Sequence, residues 1–270
     1  MRPLCLIFCL VAGQPLCAQG LTGFADLSFG GVQGNPAAGH ADVETAGALG
    51  PVGWQIGASV ASFGDADSTA AFRAILTRDL RWPVRVGLSA AYATNDGVRD
   101  DAVTFGFHGL YRVPGTSIEA SLLLPNHIRE TGTFSFNFAG EQWLTPKLSV
   151  KTGLYRLSTD LEDPDYYTIS LQLNYAVNDT LTVFAQGFQT TSDDYDIKGN
   201  GTHLGLAYQF APHAQVLASL NQLRPDQGDA ALGASLALSY DFGGARDDGR
   251  MFQTQIVPDR FWVGAFEPHP

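Results

Sequence analysis

The sequence predicts an all-β fold: an antiparallel transmembrane β-barrel of about 14 strands, within a range of about 12 to 16. Short periplasmic turns are expected to alternate with longer, acidic extracellular loops. Three observations lead to this fold class. Apolar residues alternate with small or polar ones, turn residues recur at a nearly constant spacing, and the chain carries little charge for its length.

The alternation is clearest between residues 165 and 177. Its large apolar residues are Tyr167, Ile169, Leu171, Leu173, Tyr175 and Val177, and they alternate with Thr168, Ser170, Gln172, Asn174 and Ala176. Because successive side chains of a strand point to opposite faces, a period of two indicates a strand. This content argues against the helical solenoids that share a repeat length in the low thirties.

Prolines mark the repeat. Pro51, Pro83, Pro114 and Pro146 follow one another at intervals of 32, 31 and 32 residues, and seven such units fill residues 19–243. Each unit reads as a hairpin of two strands, most of them close to the roughly 9 to 11 residues that cross a bilayer when tilted. The predicted strands are 21–31, 41–49, 53–63, 69–80, 84–94, 102–112, 116–125, 132–143, 148–158, 166–177, 180–190, 201–211, 214–223 and 230–242.

The composition indicates which face meets which solvent. Apolar residues make up 45% of the chain and charged residues only 16%, below the quarter usual for a soluble domain. The face opposite the large apolar side chains carries small or polar ones such as Gly87, Ser89 and Gln172, whereas a soluble sandwich would expose charges there. We therefore expect lipid outside and a wet lumen inside. A soluble lipid-binding barrel, which also has alternating strands, remains the alternative.

The two ends of the chain are interpreted separately from the barrel. Residues 1–18 combine Arg2, a short apolar run and a small residue at Ala18, as a secretory signal peptide does. Such a segment exports the chain across the inner membrane, and an exported chain with the barrel pattern above is expected in the outer membrane of a Gram-negative bacterium. All three cysteines precede the expected cut, so the mature chain has no thiol for disulfides or nucleophilic chemistry. Residues 244–270 form an extension of unknown role, which could be a periplasmic segment, a plug or an extra strand.

Acidic residues concentrate in the predicted extracellular loops. The densest part of this acidic mouth comprises Asp160, Glu162, Asp163, Asp165, Asp193, Asp194 and Asp196. One interpretation is that acid simply keeps exposed loops soluble. The other is that the mouth concentrates cations and binds divalent ions that bridge lipopolysaccharide phosphates. No dedicated metal site is assigned, and no cofactor is expected beyond such a divalent cation.

Charged residues are also predicted to face the lumen. These pore-lining candidates are Arg73, Arg85, Arg112 and Lys151 against Glu119 and Glu141. Facing each other across a narrow lumen, they would set a transverse field that selects solutes by charge and size. They could equally pair off and merely fill the lumen.

No catalytic motif occurs in the sequence. A GxSxG elbow, an HExxH helix and a phosphate-binding loop are all missing, so the chain is not expected to be an enzyme. The acidic balance and the lack of a basic patch argue against nucleic acid as a partner.

Residues 19–243 resemble a Gram-negative outer-membrane porin of the α-proteobacterial type. The resemblance rests on the export signal, the alternating strands, the proline turns and the segment 235–242, whose Tyr240 and Phe242 are similar to the signal that porins present to the barrel-assembly machinery. It implies passive diffusion of ions and small hydrophilic solutes, and contact with outer-membrane lipid and lipopolysaccharide. Porins of this family are commonly homotrimers, and the sequence leaves the oligomeric state open because a lipid-facing surface and a subunit interface are both apolar.

Two features depart from that family. The best-known porins have sixteen strands and a long loop that narrows the pore, whereas no loop here greatly exceeds about ten residues. The chain also continues past Phe242, where such barrels usually stop. A barrel with a closed lumen and a structural or surface-interaction role is therefore the alternative to a channel.

Overall fold

The computed structural model describes residues 22–32, 37–63, 67–95, 102–127, 134–158, 166–192, 198–225 and 230–242. These ranges hold fourteen strands. They are β1 (Thr22–Val32), β2 (Ala38–Leu49), β3 (Val52–Phe63), β4 (Asp67–Arg81), β5 (Val84–Asn95), β6 (Ala102–Val113), β7 (Thr116–His127), β8 (Phe134–Thr145), β9 (Leu148–Ser158), β10 (Tyr166–Ala176), β11 (Leu181–Ser192), β12 (Lys198–Ala211), β13 (Ala214–Pro225) and β14 (Ala231–Phe242). No helix in the described ranges is long and apolar enough to cross a bilayer.

The strands close into a single barrel. Each strand pairs antiparallel with the next along the chain, and β14 pairs with β1 to complete the ring. The closing ladder runs from Gly23 opposite Phe242 to Val32 opposite Gly233. The predicted fold class and the predicted number of strands are both confirmed.

Some strands extend further than the alternation predicted. β4 begins at Asp67 and β12 at Lys198, whereas the sequence pattern placed both residues in loops. Their backbones pair with Phe63 and Thr191, respectively. Pairing with a neighbouring strand thus extends the ladder past the last alternating apolar residue, because the backbone hydrogen bonds do not depend on the side-chain pattern.

The short connections are tight turns that the sequence supports locally. Gly50 and Gly115 adopt positive φ angles of 61° and 78°, which strain residues with a Cβ atom. The turn after β10 is held by the Asn178 side chain, whose Oδ1 accepts hydrogen bonds from the backbone nitrogens of Thr180 (2.9 Å) and Leu181 (2.8 Å).

The two faces of the barrel have opposite chemistry. Large apolar side chains are exposed on the outer face, among them Leu88 (58% exposed) and Ile169 (62%). Polar side chains such as Gln55 and Ser149 are almost completely buried on the inner face. A soluble lipid-binding barrel would place its apolar face inward, so that alternative is wrong. Hydrocarbon outside and water inside suit the observed arrangement.

The predicted signal peptide (1–18) and the predicted extension (244–270) lie outside the described residues. The predicted barrel domain (19–243) contains all of the described strands, which run from Thr22 to Phe242.

Candidate functional site

The inner face carries a charged cluster on β2, β3 and β4, which we call the β2–β4 cluster: Asp42, Glu44, Gln55 and Arg73. Arg73 donates from Nε to Glu44 Oε2 (2.9 Å), and its Nη2 lies 3.5 Å from Asp42 Oδ2. A second contact joins Arg73 Nη2 to Glu44, and Gln55 Nε2 donates to the other oxygen of Glu44. Glu44 is 2% exposed and Gln55 is 0% exposed. The buried carboxylate of Glu44 is thus both charge-paired and hydrogen-bonded, as a buried ion requires.

A glycine allows the cluster to form. Glu44, Gly57 and Arg73 occupy one row across three strands, so Arg73 must pass over β3 to reach Glu44. A Cβ atom at Gly57 would lie 3.1 Å from Arg73 Nε and 3.4 Å from Glu44 Oε2. The missing side chain therefore provides the path by which the guanidinium crosses the intervening strand.

Next to this cluster, β4, β5 and β6 contribute a mixed polar and apolar patch to the inner face. His108 Nε2 lies 2.7 Å from Ser89 Oγ, within hydrogen-bond distance. Ile75 and Leu110, 4% and 5% exposed, form a small buried apolar cluster. The inner wall is thus not uniformly polar at this point.

A chain of hydrogen bonds links three neighbouring strands on the other side of the lumen. Lys151 Nζ lies 3.6 Å from Glu141 Oε2, and Ser149 Oγ donates to Glu141 Oε1 (3.0 Å). Asn174 donates to Ser149 (3.2 Å), and Gln172 donates to Asn174 (2.6 Å). The network runs from an ion pair on β8 and β9 to neutral amides on β10, so the polar character of the wall changes along it.

An ion pair lies near the turn that joins β4 and β5. Arg85 donates from Nε to Asp79 Oδ1 (2.6 Å) and from Nη2 to Asp79 Oδ2 (3.2 Å). The Asp79 side chain is 67% exposed, so solvent screens the pair and its contribution to stability is small, at most about 1 kcal/mol.

The register places all six pore-lining candidates at inward positions. They are Arg73, Arg85, Arg112, Glu119, Glu141 and Lys151. Four of them belong to the contacts above: Arg73 in the β2–β4 cluster, Arg85 in the ion pair with Asp79, and Glu141 with Lys151 in the hydrogen-bonded chain on β8 to β10. Glu119 is 6% exposed, whereas Arg112 lies exposed near the short turn after β6.

Five further carboxylates face inward, none of which was predicted to line the pore: Asp26, Asp42, Glu44, Asp79 and Asp241. On β2, His40, Asp42 and Glu44 follow one another at intervals of two residues and therefore share one face of the strand. This spacing could have been recognised in the sequence. Asp26 and Asp241 face inward on β1 and β14 at the closing seam, where Ser239 donates to Asp26. With these included, the described inner face carries seven carboxylates and four basic groups.

Four consecutive strands of the inner face, β10 to β13, are uncharged. The inward positions of β10 to β13 carry no Asp, Glu, Lys or Arg among the side chains that the structure describes. They are occupied by Thr168, Ser170, Gln172, Asn174, Ala176, Thr182, Phe184, Gln186, Phe188, Thr190, Gly199, Gly201, His203, Gly205, Ala207, Gln209, Gln215, Leu217, Ser219, Asn221, Leu223 and Pro225. Apart from Asp241 on β14, the inward charges thus lie on β1 to β9. We call β10 to β13 the neutral wall.

Two phenyl rings cover glycines on the neutral wall. A methyl group at Gly205 would collide with the Phe184 ring, and one at Gly201 would collide with the Phe188 ring. Phe188 also meets the His203 ring edge-on, with centroids 5.3 Å apart and an angle of 78°. Each aromatic ring therefore lies directly against the backbone of β12, and the glycines make room for it.

The acidic mouth lies outside the described residues: Asp160, Glu162, Asp163, Asp165, Asp193, Asp194 and Asp196 fall in 159–165 and 193–197. Over the part of the chain that the structure describes, no group of three or more His, Cys, Asp or Glu is arranged to hold a metal ion.

The sequence matches no protein-family model and no curated protein. Its fold does match solved structures. The CymD monoaromatic hydrocarbon channel aligns with a TM-score of 0.61 and 10% identity, covering 83% of this chain and 88% of that one. An anion-selective porin from Comamonas acidovorans aligns with a TM-score of 0.55 and 12% identity, over 82% and 98% of the two chains.

A variant of the Rh. blastica porin is also similar. It aligns with a TM-score of 0.50 and 11% identity, over 82% of this chain and 99% of that one. At such low identity the likeness concerns the architecture alone. The chain has the closed barrel fold found in outer-membrane porins and channels.

Proposed function

We propose that this chain is an outer-membrane channel for passive diffusion of ions and small hydrophilic solutes, with a preference for cations. One observation carries the proposal. Charged side chains lie inside a closed barrel whose outer face is apolar, which is the arrangement of a water-filled pore in a bilayer.

The exposure of the inward charges supports a wet lumen. The side chains of Lys151 and Arg73 are 45% and 37% exposed, although both point into the barrel. A dry interior would impose a desolvation cost of several kcal/mol on each ion. Because both side chains are partly exposed, water can solvate them and reduce this desolvation penalty.

The sign of the inner charge supports the cation preference. Seven described carboxylates face inward against four basic groups, and the low-dielectric wall of a pore focuses the resulting field along its axis. The acidic mouth predicted for the extracellular loops would add to the same field. The constriction loop of the best-known porins is not needed for this selectivity.

A closed lumen is the second candidate, and one observation favours it. Ile75 and Leu110 form a buried apolar cluster on the inner face, so part of the wall is packed rather than hydrated. In that case the chain would have a structural or surface-interaction role.

Planar bilayer recordings separate the two candidates. We expect the purified full-length chain to give stepwise currents. In a tenfold KCl gradient, the sign of the reversal potential should correspond to a larger flux of K⁺ than of Cl⁻ toward the dilute side. A reversal potential of the opposite sign would reject the cation preference. If neither the full chain nor a chain lacking residues 243–270 conducts, while both show the heat-modifiable gel mobility of a folded barrel, the closed-lumen candidate stands.

The channel would reside in the outer membrane of a Gram-negative bacterium. An apolar outer face suits outer-membrane lipid and lipopolysaccharide, and divalent cations at the acidic loops would bridge the phosphates of the latter. Tyr240 and Phe242, at the end of the closing strand, would engage the barrel-assembly machinery of a Gram-negative cell. The sequence resemblance supports the α-proteobacterial porin type and a homotrimer as part of this proposal, and crosslinking in intact membranes tests the oligomer.

A further inference from the structure

We propose that the neutral wall, centred on Phe184, binds ring-shaped neutral solutes that carry several hydroxyl groups, such as monosaccharides and disaccharides, as they pass through the lumen. This inference rests on the proposed channel function and names a class of solute that the channel would select.

The ring of Phe184 is held in place but is not hidden. One side of it covers Gly205 on β12, so closely that a methyl group there would overlap the ring. The residue is nevertheless partly exposed on the inner face, in contrast to Phe188, which is 5% exposed. Phe184 therefore offers the lumen an aromatic surface whose position is fixed before any solute arrives, which reduces the entropy lost on binding.

Amide side chains surround this ring. Asn174 lies directly opposite Phe184 on β10, and Gln172 lies opposite Gln186, the next inward residue of β11. Directly opposed side chains in a ladder lie about 5 Å apart. The hydrogen bond from Gln172 to Asn174 (2.6 Å) fixes two of the three amides. An aromatic ring and three amides thus share one small area of the wall.

A buried donor farther along the wall also indicates a polar occupant of the lumen. Asn221 on β13 is 3% exposed, and its Oδ1 accepts a hydrogen bond from Ser219 (3.0 Å). Its Nδ2 has no hydrogen-bond partner among the described residues. A buried amide without a partner costs about 1 to 3 kcal/mol, so an oxygen atom from water or from a solute is expected there.

This combination of groups favours one class of solute. Amides donate and accept hydrogen bonds, as a set of hydroxyl groups requires. The negative face of the phenyl ring attracts the polarised C–H groups on one side of a sugar ring. Ions would instead be drawn to the charges on β1 to β9, and a hydrocarbon without hydroxyl groups would leave the amides desolvated and unpaired.

The test uses maltose in planar bilayers containing the full-length protein, with sorbitol as the control solute because it carries hydroxyl groups but no ring. Maltose should lower the ion current in a saturable way, whereas sorbitol should act only through viscosity. Phe184→Ala should raise the maltose concentration for half-maximal effect about three- to tenfold, and Phe184→Trp should preserve it. Phe138→Ala, the same truncation on the outer face, should change nothing.

A second variant and a second measurement keep the outcomes distinct. Gln186→Ala tests the amides without removing the ring, and calorimetric titration of the detergent-solubilised barrel with maltose reports binding without current. A conducting channel on which maltose and sorbitol act alike would overturn the neutral-wall proposal and leave the channel function intact. Saturable block by benzyl alcohol but not by maltose would also overturn it. Loss of all conductance with maltose binding retained would reject the channel function alone.

Discussion

Arg73 on β4 donates to Glu44 on β2, two strands away, by passing over Gly57 on the strand between them. Glu44 is almost completely buried, and it also accepts a hydrogen bond from Gln55. The ion pair therefore joins three strands of the inner wall through side chains alone, in addition to their backbone ladders.

Removing the cation from this pair should destabilise the barrel. Arg73→Met leaves a buried carboxylate without its charge partner, and we expect the free energy of unfolding to fall by about 2 to 3 kcal/mol, less than for a fully dry pair because Arg73 is partly exposed. Urea unfolding in lipid vesicles, followed by tryptophan fluorescence, measures the change. Adding Glu44→Gln should recover more than half of the loss, because it removes the stranded charge.

The exposed pair on β4 and β5 provides the control. Arg85→Met removes an equally close partner from Asp79, but the carboxylate is 67% exposed and water replaces the lost contact. The expected change is below about 1 kcal/mol. Equal losses for Arg73→Met and Arg85→Met would contradict the importance assigned to burial.

Filling the path over β3 should also break the Arg73–Glu44 contact. In Gly57→Val, the first added carbon lies 3.1 Å from Arg73 Nε and 3.4 Å from Glu44 Oε2, so the side chain obstructs the path of the guanidinium and a loss of about 1 to 3 kcal/mol is expected. Gly187→Val is the matched control, since nothing lies within 4 Å of a Cβ atom there, and it should be neutral or slightly stabilising. The same unfolding assay decides, and tolerance of valine at position 57 would show that the guanidinium can reach Glu44 by another route.

Much of this fold could be predicted from the sequence because its information is local. The period of two fixes which residues share a face, and the spacing of Pro51, Pro83 and Pro114 fixes where the hairpins turn. Together they predicted fourteen strands and the inward position of Lys151. Both signals act within one strand or one turn, so they can be recognised without knowledge of the neighbours.

The charge cluster could not be predicted in the same way. Glu44 and Arg73 share a row only if β3 and β4 pair in the register that places Gly57 opposite Arg73. The connection between these strands is longer than a two-residue turn, so the local sequence does not fix that register. The seam is harder still, because Asp26 meets Ser239 only after the two ends of the barrel close. The neutral wall likewise emerges only when four strands are placed side by side.

The ion pair on β8 and β9 should tune selectivity in both directions. Lys151→Gln leaves Glu141 facing the lumen without its cation, so the ratio of cation to anion permeability should rise roughly twofold. Glu141→Gln should lower the ratio by a similar factor. Reversal potentials in a tenfold KCl gradient measure both changes. The differences between each variant and the unmodified chain should become smaller at high salt, because the charges are screened.

The outer face supplies the control for this experiment. Arg78 is exposed at an outward position of β4, so Arg78→Gln removes one positive charge without changing the lumen. Its reversal potential should match that of the unmodified chain. If Arg78→Gln shifted the potential as far as Lys151→Gln does, net charge rather than the lumenal position of Glu141 and Lys151 would explain the selectivity.

The turn between β10 and β11 depends on one side chain. Asn178 Oδ1 accepts hydrogen bonds from the backbone nitrogens of Thr180 and Leu181 and from the Thr180 hydroxyl (3.0 Å). Asn178→Ala should therefore cost about 1 kcal/mol in the urea assay, because two backbone donors lose their protein acceptor and the turn loses its preferred geometry. Asn178→Asp keeps an oxygen at the same place and should retain most of the stability. If alanine and aspartate prove equally harmful, the amide nitrogen rather than Oδ1 would be the group that matters, and the turn would require a different explanation.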